Sequence, residues 1–198
     1  MLFLLWGASG AGKTACMKGI AARFAELAVH DFDEVGVPRD ADRVWRQQTA
    51  ELWLGRAIAY RAERRDMLLC GQLPYGELLA CPSADEYGDE ILSCLLDCHD
   101  HERVRRLLAR GAAVEAASQE MLCWASWLRM HAVDPQWRAD VIASESAPGM
   151  RWERWREWPP NHPRWRVELI DTSGTELATT VERVSRWIER GLATRGGP

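Results

Sequence analysis

The sequence predicts an α/β fold in which a five-stranded parallel sheet is covered by helices on both faces. Three observations point to it. Apolar runs of strand length alternate with helical patterns along the whole chain. These runs are nearly continuous in apolar residues, as strands buried on both faces must be. Finally, the polar residues with the most chemistry fall at the carboxyl ends of the runs, where open parallel sheets bind ligands.

The first run is Met1–Trp6, followed by a helical pattern over Ala15–Leu27. A short second strand, Ala28–His30, enters Asp31-Phe32-Asp33-Glu34, and Gly36-Val37-Pro38 then breaks the chain. Asp40 is placed to cap a long helix over Ala41–Arg65, with Trp45, Leu52, Trp53 and Ile58 among its apolar residues. The third strand, Met67–Cys70, ends at Gly71-Gln72, and a loop with Pro74, Gly76, Pro82 and Gly88 follows. The fourth strand is Ile91–Leu96, with a helix over His99–Arg110 and a second helical stretch over 112–131. A tract over 148–164 is rich in Trp, Arg and Pro. The fifth strand, Arg166–Ile170, ends at Asp171-Thr172-Ser173-Gly174, and Glu176–Arg190 reads as a final amphipathic helix. No internal repeat interrupts this order, and the terminal Arg-Gly-Gly-Pro is expected to fray.

Between the first strand and the first helix lies Gly7-Ala8-Ser9-Gly10-Ala11-Gly12-Lys13-Thr14, a complete G-x-x-x-x-G-K-[ST] phosphate loop followed by Ala15. Its glycines let backbone N–H groups turn inward around phosphate oxygens. Lys13 reaches the β- and γ-phosphates, and the Thr14 hydroxyl can sit on Mg²⁺. The following helix points the positive end of its dipole at the bound anion. Lys13 and Lys18 are the only lysines, against 23 arginines. A chain that otherwise uses arginine has placed lysine where a compact point charge suits phosphate.

At 198 residues the chain is expected to form one domain with a full α/β core. A formal charge of −4 offers no general attraction to nucleic acid or anionic membranes. No stretch approaches the roughly 18 apolar residues needed to span a bilayer. The opening apolar run has no basic leader, so a secretory signal is not expected. Cys16, Cys70, Cys81, Cys94, Cys98 and Cys123 show no C-x-x-C spacing. Reduced and mostly buried thiols in a cytoplasmic protein are expected.

Asp31 and Asp33 form a second constellation at the end of the second strand. Two residues apart in an extended segment, their carboxylates share one side of the chain. One can hold a Mg²⁺-bound water and the other can take the proton of an acceptor hydroxyl. The alternative is an Asp-rich turn that caps the next segment.

These residues carry a resemblance. The chain resembles the small-molecule kinase branch of the P-loop proteins, the group of shikimate kinase, gluconate kinase and chloramphenicol phosphotransferase. The matching segments are the phosphate loop at 7–14, D-F-D-E at 31–34, C-G-Q at 70–72, R-R-L-L-A-R at 105–110 and I-D-T-S-G at 170–174. The resemblance implies a P-loop NTPase fold with strand order 2-3-1-4-5, a mobile and extended helical lid over 111–163, and phosphoryl transfer from ATP with Mg²⁺. It implies that Asp31 supports the metal with Thr14, that Asp33 faces the acceptor hydroxyl, and that Gly71 and Gln72 touch the acceptor. Arg106 or Arg110 would pack by the adenine, with Thr172, Ser173 and Gly174 beside it. Strand three carries no acid, unlike the metal site of motor and switch ATPases, which favours transfer to an alcohol over hydrolysis. The chemistry is then mainly positioning and charge neutralisation. Arg129, in a helical stretch, is the candidate lid arginine over the γ-phosphate; a plain surface arginine is the alternative.

The wall of the acceptor site falls to the 41–65 helix, where Arg43, Arg46 and Gln47 can project toward Asp33. Arg46 could grip a carboxylate or phosphate by a bidentate contact, or simply lie on a solvated face. Trp152, Trp155 and Trp158 are spaced i, i+3, i+6, so on a helix they share one face, interleaved with arginines. That face could pack the lid region onto the core, wall a substrate, dock a partner or stack single-stranded nucleic acid. The leading function is an ATP-dependent kinase with a small-molecule hydroxyl acceptor. A nucleoside monophosphate kinase and a nucleotide-binding regulatory module with little turnover are the alternatives.

Overall fold

The computed structural model describes residues 1–111 and 117–194. The expected onset of helix at 112 and the expected frayed terminus lie outside the described residues. Five strands, β1 (Leu2–Trp6), β2 (Ala28–Asp31), β3 (Met67–Gly71), β4 (Ile91–Asp97) and β5 (Val167–Asp171), form one sheet in the order β2-β3-β1-β4-β5. All four pairings are parallel, with Leu2 opposite both Met67 and Ile91. The sheet is therefore the one expected, and β1 at its centre is entirely buried. Trp6 fits there because its indole N–H donates to the Ser93 hydroxyl at 2.8 Å.

The helices are α1 (Lys13–Arg23), α2 (Arg43–Ala62), α3 (Tyr75–Ala80), α4 (Asp100–Ala109), α5 (Gln119–Val133), α6 (Asp140–Ala143) and α7 (Leu177–Thr194). The alternation of side chains along β1 divides the core in two. Phe3 and Leu5 face α1 and α7, where they meet Cys16, Ile20, Val184, Trp187 and Ile188. Leu2, Leu4 and Trp6 face the other way and join Trp53, Leu54, Leu78, Leu128, Trp155 and Trp165. Among the described residues no helix is long and apolar enough to cross a membrane.

Several local expectations are corrected. The cap of α2 is Asp42, not Asp40: its side chain accepts from the Trp45 N–H at 2.8 Å. The first helix stops at Arg23 instead of Leu27, and a turn with Leu27 N–H on the Phe24 carbonyl reaches β2. The expected loop after β3 contains α3, opened by Pro74, and a 3₁₀ turn at Pro82–Glu86. The tryptophan tract is not a continuous helix. It holds a single 3₁₀ turn, Trp152–Arg154, and then irregular chain.

That tract packs on the core. The Trp155 indole donates to the Gly76 carbonyl at 2.9 Å, and Trp165 donates to the Ala132 carbonyl at 3.1 Å. Arg154 donates to the carbonyls of Leu79, Cys81 and Pro82. Helix α5 supplies Trp127, Leu128 and Ala132 to the same core, stacking Trp127 on Trp124 and on His131. Five of the cysteines are buried free thiols, and Cys123 is exposed.

Candidate functional site

The loop after β1 is built from the backbone outward. Gly7, Gly10 and Gly12 take φ of 148°, 80° and 104°, a region that side chains resist. A Cβ on Gly7 would lie 2.2 Å from the Leu96 carbonyl oxygen. Helix α1 starts directly after Gly12, and no side chain caps its first amides. Those donors and the helix dipole suit an anion. Lys13, 8% exposed, donates to the carbonyls of Gly7 at 2.7 Å and Ala8 at 3.1 Å. Burial lowers its pKa to about 8, and Arg103 adds to the shift while Asp31 and Asp33 oppose it.

The acid pair meets this loop. The Thr14 hydroxyl donates to Asp31 at 3.1 Å, and the other Asp31 oxygen accepts from the Asp33 N–H at 3.1 Å. Asp31 also caps the 3₁₀ turn Phe32–Val35 in a box with Glu34, so the capping role expected as the alternative is present. The Asp33 side chain accepts no hydrogen bond among the described residues. Burial raises its pKa, the Asp31 charge raises it further, and Lys13 only partly offsets them. A hydroxyl and a carboxylate are hard oxygen donors that suit Mg²⁺, an ion that keeps several waters. Among the described residues no cluster of three His, Cys, Asp or Glu side chains offers a closed metal cage.

Three cavities adjoin. The first, about 160 Å³, brings together Ser9, Gly10, Gly12, Lys13, Thr14, Asp31, Asp33, Gly71, Gln72 and Arg110. The second, about 270 Å³, is lined by Ala11, Ala15, Arg106, Arg110, Thr172, Thr175 and Leu177. The third, about 210 Å³, is lined by Phe32, Asp33, Asp42, Trp45, Arg46, Gln72 and Trp124. Asp33 and Gln72 are common to the first and third. A separate cleft of about 260 Å³ lies by Tyr75, Ile91 and Trp158, at the amino end of β4 and away from the loop.

Most sequence-predicted residues converge here, though some for unexpected reasons. Gly71 is small because a Cβ would sit 2.5 Å from that of Phe32. Arg106 spans the loop and the end of β5, donating to the Gly10 carbonyl and to both oxygens of Thr172. Thr172 lines the second cavity, whereas the Ser173 hydroxyl instead accepts the His99 N–H at 2.8 Å. Gly174 turns the chain at φ 60° and is outside that lining. Arg46 is present in the third cavity, but both arms of its fork engage the fully buried Glu77, at 2.6 and 2.8 Å. Arg43 donates to the Ser144 carbonyl and lines none of the three cavities. Arg129 binds Asp97 and Asp100, and it too lines none of the three.

Two residues escaped sequence reasoning. Asp97 ends β4, the one strand end that showed no candidate, and it accepts from Arg103 and Arg129. Arg103, fully buried, also donates to the Ser9 carbonyl at 2.7 Å and so braces the phosphate loop. An acid at a strand's carboxyl end was the available signal for Asp97. Arg103 carried none, since its neighbours in the helix are also arginines.

No protein-family model and no curated protein matches this chain. Solved structures do. A gluconokinase from Sinorhizobium meliloti 1021 matches with a TM-score of 0.55 and 15% identity, over 98% of this chain and 97% of that one. A sugar kinase from Janibacter sp. HTCC2649 matches with a TM-score of 0.54 and 15% identity, over 95% and 94%. An uncharacterized protein from Eubacterium ventriosum ATCC 27560 matches with a TM-score of 0.54 and 12% identity, over 96% and 98%. At these identities the likeness is one of fold, and the chain has a P-loop kinase-like fold over nearly its whole length.

Proposed function

We propose that this protein is an ATP-dependent phosphotransferase that moves the γ-phosphoryl group to a hydroxyl of a small molecule. The observation that carries it is Asp33, a carboxylate shared by the phosphate-loop cavity and the aromatic cavity beside it. The α1 amides and Lys13 would grip the triphosphate, with the Lys13 ammonium leaving the Gly7 and Ala8 carbonyls for phosphate oxygens. Arg106, Arg110 and Thr172 would flank the base. Thr14 and Asp31 would hold Mg²⁺, whose charge neutralises the transferring group when bound. The acceptor oxygen forms its bond to the γ-phosphorus as the bond to the departing ADP breaks, and Asp33 takes the hydroxyl proton. A loose transition state asks little of the base, so a carboxylate suffices.

The reading is supported by the solved gluconokinase and sugar kinase that share the fold. The monophosphate-kinase alternative needs a free cation for an acceptor phosphate, and both Arg43 and Arg46 are engaged elsewhere. The test is ADP release with Mg²⁺-ATP and a library of hydroxyl compounds, with the phosphorylated product identified by mass. On the true acceptor, Asp33→Asn is expected to lower turnover about 10²- to 10⁴-fold with nucleotide affinity kept. Full turnover in that variant would remove Asp33 from the reaction.

A further inference from the structure

The tryptophan tract ends at a cleft that phosphoryl transfer leaves without a role. The cleft, about 260 Å³, opens at the amino end of β4, between α3 and the segment from Trp158 to Arg166. None of its lining residues lines any of the three cavities around the phosphate loop. Its apolar walls are Leu79, Ile91 and Trp158, and Tyr75 stands among them. Tyr75 is 3% exposed, and its ring centre lies 5.0 Å from that of Trp165. Its hydroxyl makes no hydrogen bond among the described residues. A buried hydroxyl without a partner is costly, and a cavity against it gives room for one. Burial raises the Tyr75 pKa, with Arg164 lowering it and Asp89 raising it by smaller amounts, so the phenol stays a neutral O–H donor.

The charges on the rim are unequal. Arg164 is paired with Asp89 at 2.8 Å and lies over the Trp158 ring. Arg166 has no carboxylate partner among the described residues. Its Nε donates to the Pro163 carbonyl at 2.7 Å, which leaves the two terminal amino groups without a partner.

We propose that this cleft binds a small carboxylic acid with one apolar ring, its carboxylate held by the Tyr75 hydroxyl and the Arg166 guanidinium. The phenol donates to a carboxylate oxygen, and the guanidinium adds charge-assisted bonds. The ring covers Leu79, Ile91 and Trp158 and displaces water from them. The volume is below that usual for drug-sized ligands, which suits one ring and not a nucleotide. An amine would meet two arginines against one aspartate, and a neutral ligand forgoes the charge of Arg166.

Three probes share a phenylpropyl frame and differ in charge: 3-phenylpropanoate, 3-phenylpropanamide and 3-phenylpropylamine. Calorimetry would measure their binding to the full chain, with and without Mg²⁺ and a non-hydrolysable ATP analogue. The carboxylate is expected to bind about tenfold more tightly than the amide, and the amine most weakly, whether or not the nucleotide is present. Tyr75→Phe should weaken the carboxylate about tenfold. The same variant should keep the wild-type urea midpoint, because the hydroxyl has no internal partner to lose. Arg166→Gln should bring carboxylate and amide within about twofold of each other. Absence of carboxylate binding at millimolar concentration, equal binding of the three probes, full carboxylate affinity in both variants, or displacement by the ATP analogue would overturn the assignment.

Discussion

The two ends of the candidate site are built differently. The proposed phosphate side is local: one loop, the first amides of α1 and a carboxylate at the end of the neighbouring-but-one strand, with most contacts made by backbone. The proposed acceptor side is assembled from afar. Glu77 on α3 holds Arg46 and Gln47 on α2, and Gln47 in turn bonds the Ile142 carbonyl and the Ala147 amide, 95 and 100 residues away. The difference teaches that a backbone-built loop is specified by contiguous sequence, while a side-chain cavity depends on which residues the tertiary fold brings together.

The hardest test of that contrast is Glu77→Ala. It strands a part-buried guanidinium and a buried Gln47 amide donor, so a loss of about 3 kcal/mol of stability is expected in urea denaturation. Retained wild-type stability would show that the acceptor wall does not hang on this carboxylate. A smaller effect is expected on the phosphate side from Asp97→Asn. It weakens a charge-assisted bond to Arg103, the residue that braces Ser9, by about 1–3 kcal/mol, and it should also loosen nucleotide binding. If nucleotide affinity is unaltered, Arg103 holds the loop without Asp97.

The smallest expected effect concerns His131, behind the acceptor wall. It stacks on Trp127 at 4.6 Å and meets Trp155 and Trp165 edge-on. Neither ring nitrogen has a hydrogen bond of normal geometry among the described residues. Burial lowers its pKa to about 3, and the Pro135 backbone only softens the shift. The unfolded chain, with an imidazole pKa of about 6.5, therefore holds a proton that the folded protein lacks between those values. This contribution to stability is full above about pH 6.5 and is lost on acidification, by at most about 1.4 kcal/mol per pH unit. Urea midpoints between about pH 5 and 7 should fall more steeply in the wild type than in His131→Phe. Parallel slopes would mean that the imidazole is not kept neutral by the fold.

Much of the phosphate side was legible because its parts are contiguous. The glycine spacing, Lys13, Thr14 and the D-x-D pair each announce their chemistry within a few residues, and the alternation of apolar runs announces the sheet. The acceptor side was not. Arg46 looked like a free anion-binding fork because nothing near it in sequence foretells Glu77. Arg129 looked like a lid arginine because Asp97 lies 32 residues earlier. The tryptophan spacing suggested a helical face, yet indole hydrogen bonds to Gly76 and Ala132 hold the chain in irregular form.

By itself the sequence determined the strand–loop–helix unit, the run of five strands and the acids at the end of β2, since each depends on neighbours along the chain and on local backbone preferences. Only the tertiary structure decided which charges are spent and which are free. Ion pairing is settled by through-space distance and burial: Glu77 pairs with Arg46, and Asp97 claims Arg103 and Arg129.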